Sequence, residues 1–129
     1  MNSIVHFEIP VNSPEEAKKF YTETFGWSIE QWEQMPYWMA TTTEMDEQNK
    51  GPKNVGAING GMTKREGVFQ HPILTIAVDD IDAALAKVEA AGGKKLQDKN
   101  SIGEMGFTAY FEDNQGNTMG LWQNAMKSE

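Results

Sequence analysis

Hydrophobic and polar residues alternate over residues 5–11. Val5, Phe7, Ile9 and Val11 fall on one side, and His6, Glu8 and Pro10 on the other. A period of two predicts a strand with one buried face. Ser13 then offers an N-cap, Pro14 suits the first helical position, and Glu15 and Glu16 suit the positive end of a helix dipole. Ala17, Phe20, Tyr21 and Thr24 mark one face of this helix, and Gly26 ends it. Residues 27–32 and 37–43, rich in aromatic residues and Thr, predict two strands. Residues 44–54 are polar, contain Gly51-Pro52 and read as a loop, a candidate lid. Residues 55–62 predict a weaker, Gly-rich strand.

The pattern then restarts. Residues 73–78 predict a strand, and Asp79-Asp80 cap a helix whose face is Ile81, Ala84, Leu85, Val88 and Ala91. Gly92-Gly93 ends it, and residues 94–98, 106–112 and 118–123 predict three more strands. Asp113-Asn114-Gln115-Gly116-Asn117 is a dense turn signal between the last two. Each half therefore reads β-α-β-β-β. The halves superpose with Val11 on Val78, an offset of 78 − 11 = 67, which also puts Ala17 on Ala84 and Gly26 on Gly93. Two copies are too few for a solenoid, so the repeat reads as a duplicated module whose sheets face each other.

With 129 residues the chain predicts one domain: module one at about 1–62, a linker at 63–71 and module two at about 72–126. Lys and Arg number 11 against 19 Asp and Glu, a net charge of −8, which argues against nucleic acid and anionic membrane surfaces as partners. Lys64, Arg65, Lys94, Lys95 and Lys99 are the local basic groupings. The absence of cysteine excludes disulfides, thiolate nucleophiles and iron–sulfur ligation. No apolar run approaches ~20 residues and residues 1–8 lack the features of a secretory signal, so a cytoplasmic location is expected. Asn59-Gly60-Gly61 lacks the context of a phosphate loop, and no serine sits in a Gly-x-Ser-x-Gly elbow.

Val5-His6-Phe7-Glu8-Ile9-Pro10-Val11, Phe20-Tyr21 and Phe25-Gly26-Trp27 resemble the first half of the glyoxalase/bleomycin resistance/dioxygenase superfamily, the vicinal oxygen chelate proteins. Val78-Asp79-Asp80-Ile81-Asp82-Ala83-Ala84, Ala90-Ala91-Gly92-Gly93 and Asp113–Asn117 followed by Leu121-Trp122-Gln123 resemble the second. The resemblance covers essentially the whole chain. It implies an α+β fold of two tandem βαβββ modules forming curved mixed sheets around a cleft, in a homodimer. It also implies a choice of activities, because the family includes metal-dependent isomerases, ring-cleaving dioxygenases, thiol transferases and metal-free drug-binding proteins.

The resemblance places up to four metal ligands, His, Gln or Glu, on the first and last strands of each module. His6 occupies the first-strand position. Its mate in the repeat, 6 + 67 = 73, is Ile73, which cannot coordinate. Gly120 stands before Leu121 where the family pattern carries Glu, and Asn59 is the candidate on the last strand of module one. His71 shares the parity of Ile73 but reads as a linker histidine before Pro72. No metal or other cofactor is expected on this count.

His6 and Glu8 point the same way, about 7 Å apart along the strand, as polar groups of the cleft face. Trp122, by parity with position 120, and Trp38 are the aromatic candidates there. With Thr75 on the first strand of module two, the candidate ligand-binding residues are His6, Glu8, Trp38, Thr75 and Trp122. The expected function is binding of a small organic molecule in an aromatic-lined cleft without a metal, for sequestration or an undefined reaction. The alternatives are a metal-dependent lyase or dioxygenase using His6, and a non-catalytic interaction module.

Overall fold

Ser13 caps the first helix by accepting a hydrogen bond from the Glu16 amide at 3.2 Å, and Pro14 follows at the first helical position. Gly26 stops it in the left-handed region (φ 75°), which a residue without Cβ enters at no steric cost. Asp80 caps the second helix through the Ala83 amide at 3.3 Å. The structure, a computed structural model, describes residues 1–46 and 51–125.

In chain order the elements are β1 (Ile4–Val11), α1 (Pro14–Phe25), β2 (Ser28–Gln31), β3 (Tyr37–Thr41), β4 (Met45–Asp46), β5 (Gly51–Pro52) and β6 (Gly60–Lys64). They continue with β7 (Ile73–Ala77), α2 (Ile81–Ala90), β8 (Lys94–Ser101), β9 (Gly106–Glu112) and β10 (Thr118–Asn124). The chain divides into two compact units: His6–Pro72, and Met1–Val5 together with Ile73–Glu129. In the first unit the main strands lie in the order β2-β3-β6-β1, with β1 parallel to β6 and the other pairs antiparallel. In the second the order is β8-β9-β10-β7, with β7 parallel to β10 and the other pairs antiparallel. Module for module this is one topology, so the duplicated βαβββ plan is present in full. The fold is α+β. No helix among the described residues is long and apolar enough to cross a membrane.

Each unit buries one sheet face against its helix. In the first, Val11, Ile29, Ala40 and Met62 form the buried cluster, with Phe7, Ile9, Ala17, Tyr21, Trp27 and Trp38 packed on it. In the second, Ile81, Leu85, Ala109, Phe111 and Leu121 are buried, joined by Ile76, Ala84 and Val88. Burying each of these large side chains contributes roughly 1.5–3 kcal/mol.

Several boundaries differ from the expectation. The last strand of the first module is Gly60–Lys64, displaced from residues 55–62. Asn59 explains the displacement: its Oδ1 accepts from the Thr42 and Thr43 amides (2.7 and 3.0 Å) and its Nδ2 donates to Thr43 O (3.2 Å), so pairing starts after it. The expected loop at 44–54 contains the short pair β4–β5, and its residues 47–50 lie outside the described residues. Strand β8 runs on past Asp98 to Ser101, with register shifts along its pairing to β9. Arg65 is a structural tie, its amide donating to Val11 O and its side chain to Asn12 Oδ1, Pro10 O and Gln70 O. At the N-terminus, Asn2 donates to Ala77 O and Ala77 to Ser3 O, which joins the first residues to the second unit and leaves Val5 exposed rather than packed.

Candidate functional site

Since Phe7, Ile9 and Val11 pack on the α1 side, β1 turns His6 and Glu8 to the helix-free face of the first unit. Glu8 is nonetheless buried, 7% exposed. The reason lies two strands away. Along β6, Gly61 stands opposite Glu8 on one side and opposite Met39 of β3 on the other. A Cβ on Gly61 would lie 2.0 Å from the Tyr37 hydroxyl oxygen. The Tyr37 ring therefore lies over the bare backbone of Gly61 and reaches β1. There its hydroxyl oxygen is 2.8 Å from His6 Nε2, and it is hydrogen-bonded to the Glu8 side chain.

Three titratable groups thus meet on one face. Burial holds the His6 imidazole below the ordinary histidine value, so it is neutral at pH 7. Tyr37 is pushed well above the ordinary phenol value, first by burial, then by the negative charge of Glu8 and by the hydrogen bond to it. At neutral pH Tyr37 is thus a phenol and His6 a neutral imidazole, beside the Glu8 carboxyl group whose negative charge acts on Tyr37. Such an arrangement can give and accept protons toward a bound molecule.

The other candidates fall elsewhere. Trp38, expected with His6 and Glu8, packs into the helix-side cluster, because along β3 it has the parity opposite to Tyr37. Thr75 and Trp122 belong to the second unit, where Leu121 and Ile76 face α2 and residues 75, 120 and 122 take the other face. Thr75 is 4% exposed; a Cβ on Gly120 would lie 2.8 Å from its Oγ1 and 3.3 Å from the Tyr110 ring. The Trp122 indole donates to Asn124 Oδ1 at 2.8 Å and covers Gly106. An open pocket of about 310 Å³ runs along the first turns of α1, lined by Val11, Ser13, Glu16, Ala17 and Phe20, away from the titratable cluster.

Tyr37 was not among the residues the sequence singled out. The usable signal was Gly60-Gly61: adjacent glycines inside a strand mark a close approach. Gly60 makes room for the Phe7 ring as Gly61 does for Tyr37.

The potential metal donors are otherwise engaged or replaced. His6 Nε2 is engaged by Tyr37, β6 offers Gly60, Gly61 and Met62, and Ile73 and Gly120 stand at the remaining positions. Asn59 is committed to the Thr42 and Thr43 backbone, and His71 is exposed beyond the end of β7. Among the described residues no three of His, Cys, Asp or Glu gather. These residues do not fit a metal centre of the kind the resemblance implies.

A family model described as the Glyoxalase/Bleomycin resistance protein/Dioxygenase superfamily matches residues 3–121. Over 114 residues the chain is 35% identical to the Putative glyoxylase CFP32 of Mycobacterium bovis, covering 83% of this chain and 40% of that protein. The chain thus spans about two-fifths of the length of the mycobacterial relative. It is 32% identical over 113 residues to a Glyoxylase-like domain-containing protein of Didymella fabae, covering 86% and 85% of the two chains. Among solved structures, the hypothetical protein BH1468 of Bacillus halodurans superposes with a TM-score of 0.65 at 13% identity over 99% of this chain and 98% of that one. A Streptomyces coelicolor methylmalonyl-CoA epimerase variant in complex with 2-nitronate-propionyl-CoA superposes with a TM-score of 0.64 at 18% identity, over 100% and 99%. At these identities the structural likeness is one of fold.

Proposed function

The chain belongs to the glyoxalase/bleomycin resistance/dioxygenase superfamily, and within it we propose that this domain binds a small organic molecule on the helix-free face around His6, without a resident metal. The observation that carries this reading is the cluster of buried Glu8 with half-buried Tyr37 and His6. Three polar groups cost free energy to desolvate, and a domain made only to fold would fill the same place with apolar side chains. Perturbed titration of neighbouring groups is a common mark of a binding or reacting site. The two-fifths coverage of the mycobacterial relative leaves that protein's activity as no guide to this one. A homodimer in the cytoplasm is the setting this reading assumes.

Elemental analysis of the purified protein, joined to a thermal-shift screen of small neutral aromatic and enolic compounds, tests the proposal. A protein that folds without stoichiometric metal and gains stability from such a compound is the expected result; at 100-fold excess over Kd the gain is about 2.7 kcal/mol. Near-stoichiometric divalent metal in the wild type, lost in His6→Ala, would overturn it. A stabilising compound that binds His6→Ala equally well would move the site away from this face.

A further inference from the structure

The Tyr37 hydroxyl has one proton and two partners. An ionised Glu8 carboxylate can only accept, so the phenol donates to it. Toward His6, 2.8 Å away, the phenol oxygen then has only its lone pairs to offer. The contact is a hydrogen bond only if His6 donates from Nε2. A neutral imidazole carries one proton, so Nδ1 is left as an acceptor. The direction of each bond follows from the one before it: Glu8 fixes the phenol, and the phenol fixes the tautomer.

We propose that Glu8 and Tyr37 are positioning residues that hold His6 as an Nδ1 proton acceptor, and that the ligand of this face is a neutral molecule presenting a weakly acidic hydroxyl, of the phenol or enol class, to that nitrogen. The inference rests on the reading of this face as a binding face and adds what it selects. On proton transfer the ligand O–H bond breaks and the Nδ1–H bond forms. The electron pair stays on the ligand oxygen, and the imidazolium so made is stabilised through Nε2–H by the phenol dipole that Glu8 orients. The proton returns when the ligand leaves, so nothing else is consumed. A neutral ligand is specified by charge: Glu8 carries a buried negative charge two residues from His6, and the chain as a whole carries −8. An anion would meet repulsion on both scales.

The chain has two histidines, His6 and His71, so ¹⁵N-histidine labelling gives a spectrum simple enough to read. The expected ring signature of His6 is a protonated Nε2 and a bare Nδ1 at pH 7, shifting to a mixture of tautomers in Tyr37→Phe. A protonated Nδ1 in the wild type overturns the proposal. The ligand arm uses 4-nitrophenol, whose absorbance reports its own protonation, against 4-nitroanisole, which has the same ring and no donor. The wild type is expected to bind the phenol at least tenfold more tightly and to shift its band toward the phenolate, with both effects lost in Tyr37→Phe and in His6→Gln. Equal binding of both probes overturns the proposal and leaves the binding face standing. Binding of neither overturns the binding face and the inference with it.

Discussion

Gly61 is where one missing side chain sets the chemistry of a face. Its Cβ would lie 2.0 Å from the Tyr37 oxygen, far inside van der Waals contact, and the ring cannot yield without leaving His6 and Glu8. Gly61→Ala is therefore expected to destabilise by about 1–3 kcal/mol in urea unfolding and to break the His6–Tyr37 bond. The same cluster shapes the pH dependence. His6 has its folded value depressed below 6.5, so as pH falls the unfolded chain takes up that proton first. Stability is complete above about 6.5, declines below it, and levels once folded His6 is protonated too. Tyr37 has its folded value raised, so above about pH 10 the unfolded tyrosine ionises while the folded one stays neutral, and stability declines again. Urea titrations across pH should show His6→Gln flattening the response below about pH 6.5, and Tyr37→Phe flattening it above about 10. If either limb is the same in its variant and in the wild type, the assignment of that limb fails. His6 and Glu8 were legible in the sequence because strict alternation along β1 assigns faces. Tyr37 was not, because Tyr37-Trp38 puts a large aromatic on both faces of a short strand. Only the position of Gly61, two strands of pairing away, decides which one reaches β1.

At the scale of elements, the two helices differ in what they bury. Ile81 and Leu85 of α2 are buried, whereas no residue of α1 is. The expected α1 face included Phe20 and Thr24, yet Phe20 is 56% exposed. Its ring packs edge-on against Tyr21 at 5.0 Å and against Phe25 at 6.4 Å, a surface aromatic group rather than a core contact. Leu85→Ala should therefore cost about 2–5 kcal/mol, and Phe20→Ala under about 1.5 kcal/mol, by denaturant unfolding. Comparable losses would mean that α1 is anchored through Phe20 after all. The helices themselves were readable from Ser13, Pro14, Asp80 and Gly26, because caps are local chemistry. The start of β6 was not, because it depends on Asn59 bonding backbone amides 16 and 17 residues away. Asn59→Ala removes the acceptor of both amides. The expected result is a loss of about 1–3 kcal/mol and faster hydrogen exchange at Thr42 and Thr43. Unchanged exchange there would show that Asn59 does not hold the base of the β4–β5 hairpin.

For the whole molecule, the repeat copies the backbone plan without copying the chemistry. Thr75 stands at the Glu8 position, since 8 + 67 = 75, and each faces a glycine on the parallel partner strand, Gly61 for Glu8 and Gly120 for Thr75. Both glycines leave room for neighbouring side chains, but those neighbours differ. Over Gly120 lie Thr75, Tyr110 and Ile73, which hold no ionised group; over Gly61 lies the phenol that joins a carboxylate to an imidazole. The duplication was legible because hydrophobic period and caps recur at a constant offset. The asymmetry of side-chain chemistry was legible only as substitutions, Ile73 for His6 and Thr75 for Glu8, whose meaning required the strand register. This yields a comparison within one chain. A Cβ at 120 meets the Thr75 hydroxyl at 2.8 Å, a milder overlap than the one at 61, so Gly120→Ala should cost less than Gly61→Ala. The ¹⁵N signature of His6 should be unchanged in Gly120→Ala and altered in Gly61→Ala, because only the second displaces the phenol that sets the tautomer. If both variants altered His6 alike, the signature would report general loosening of the fold, and the directed chain from Glu8 through Tyr37 to His6 would have to be abandoned.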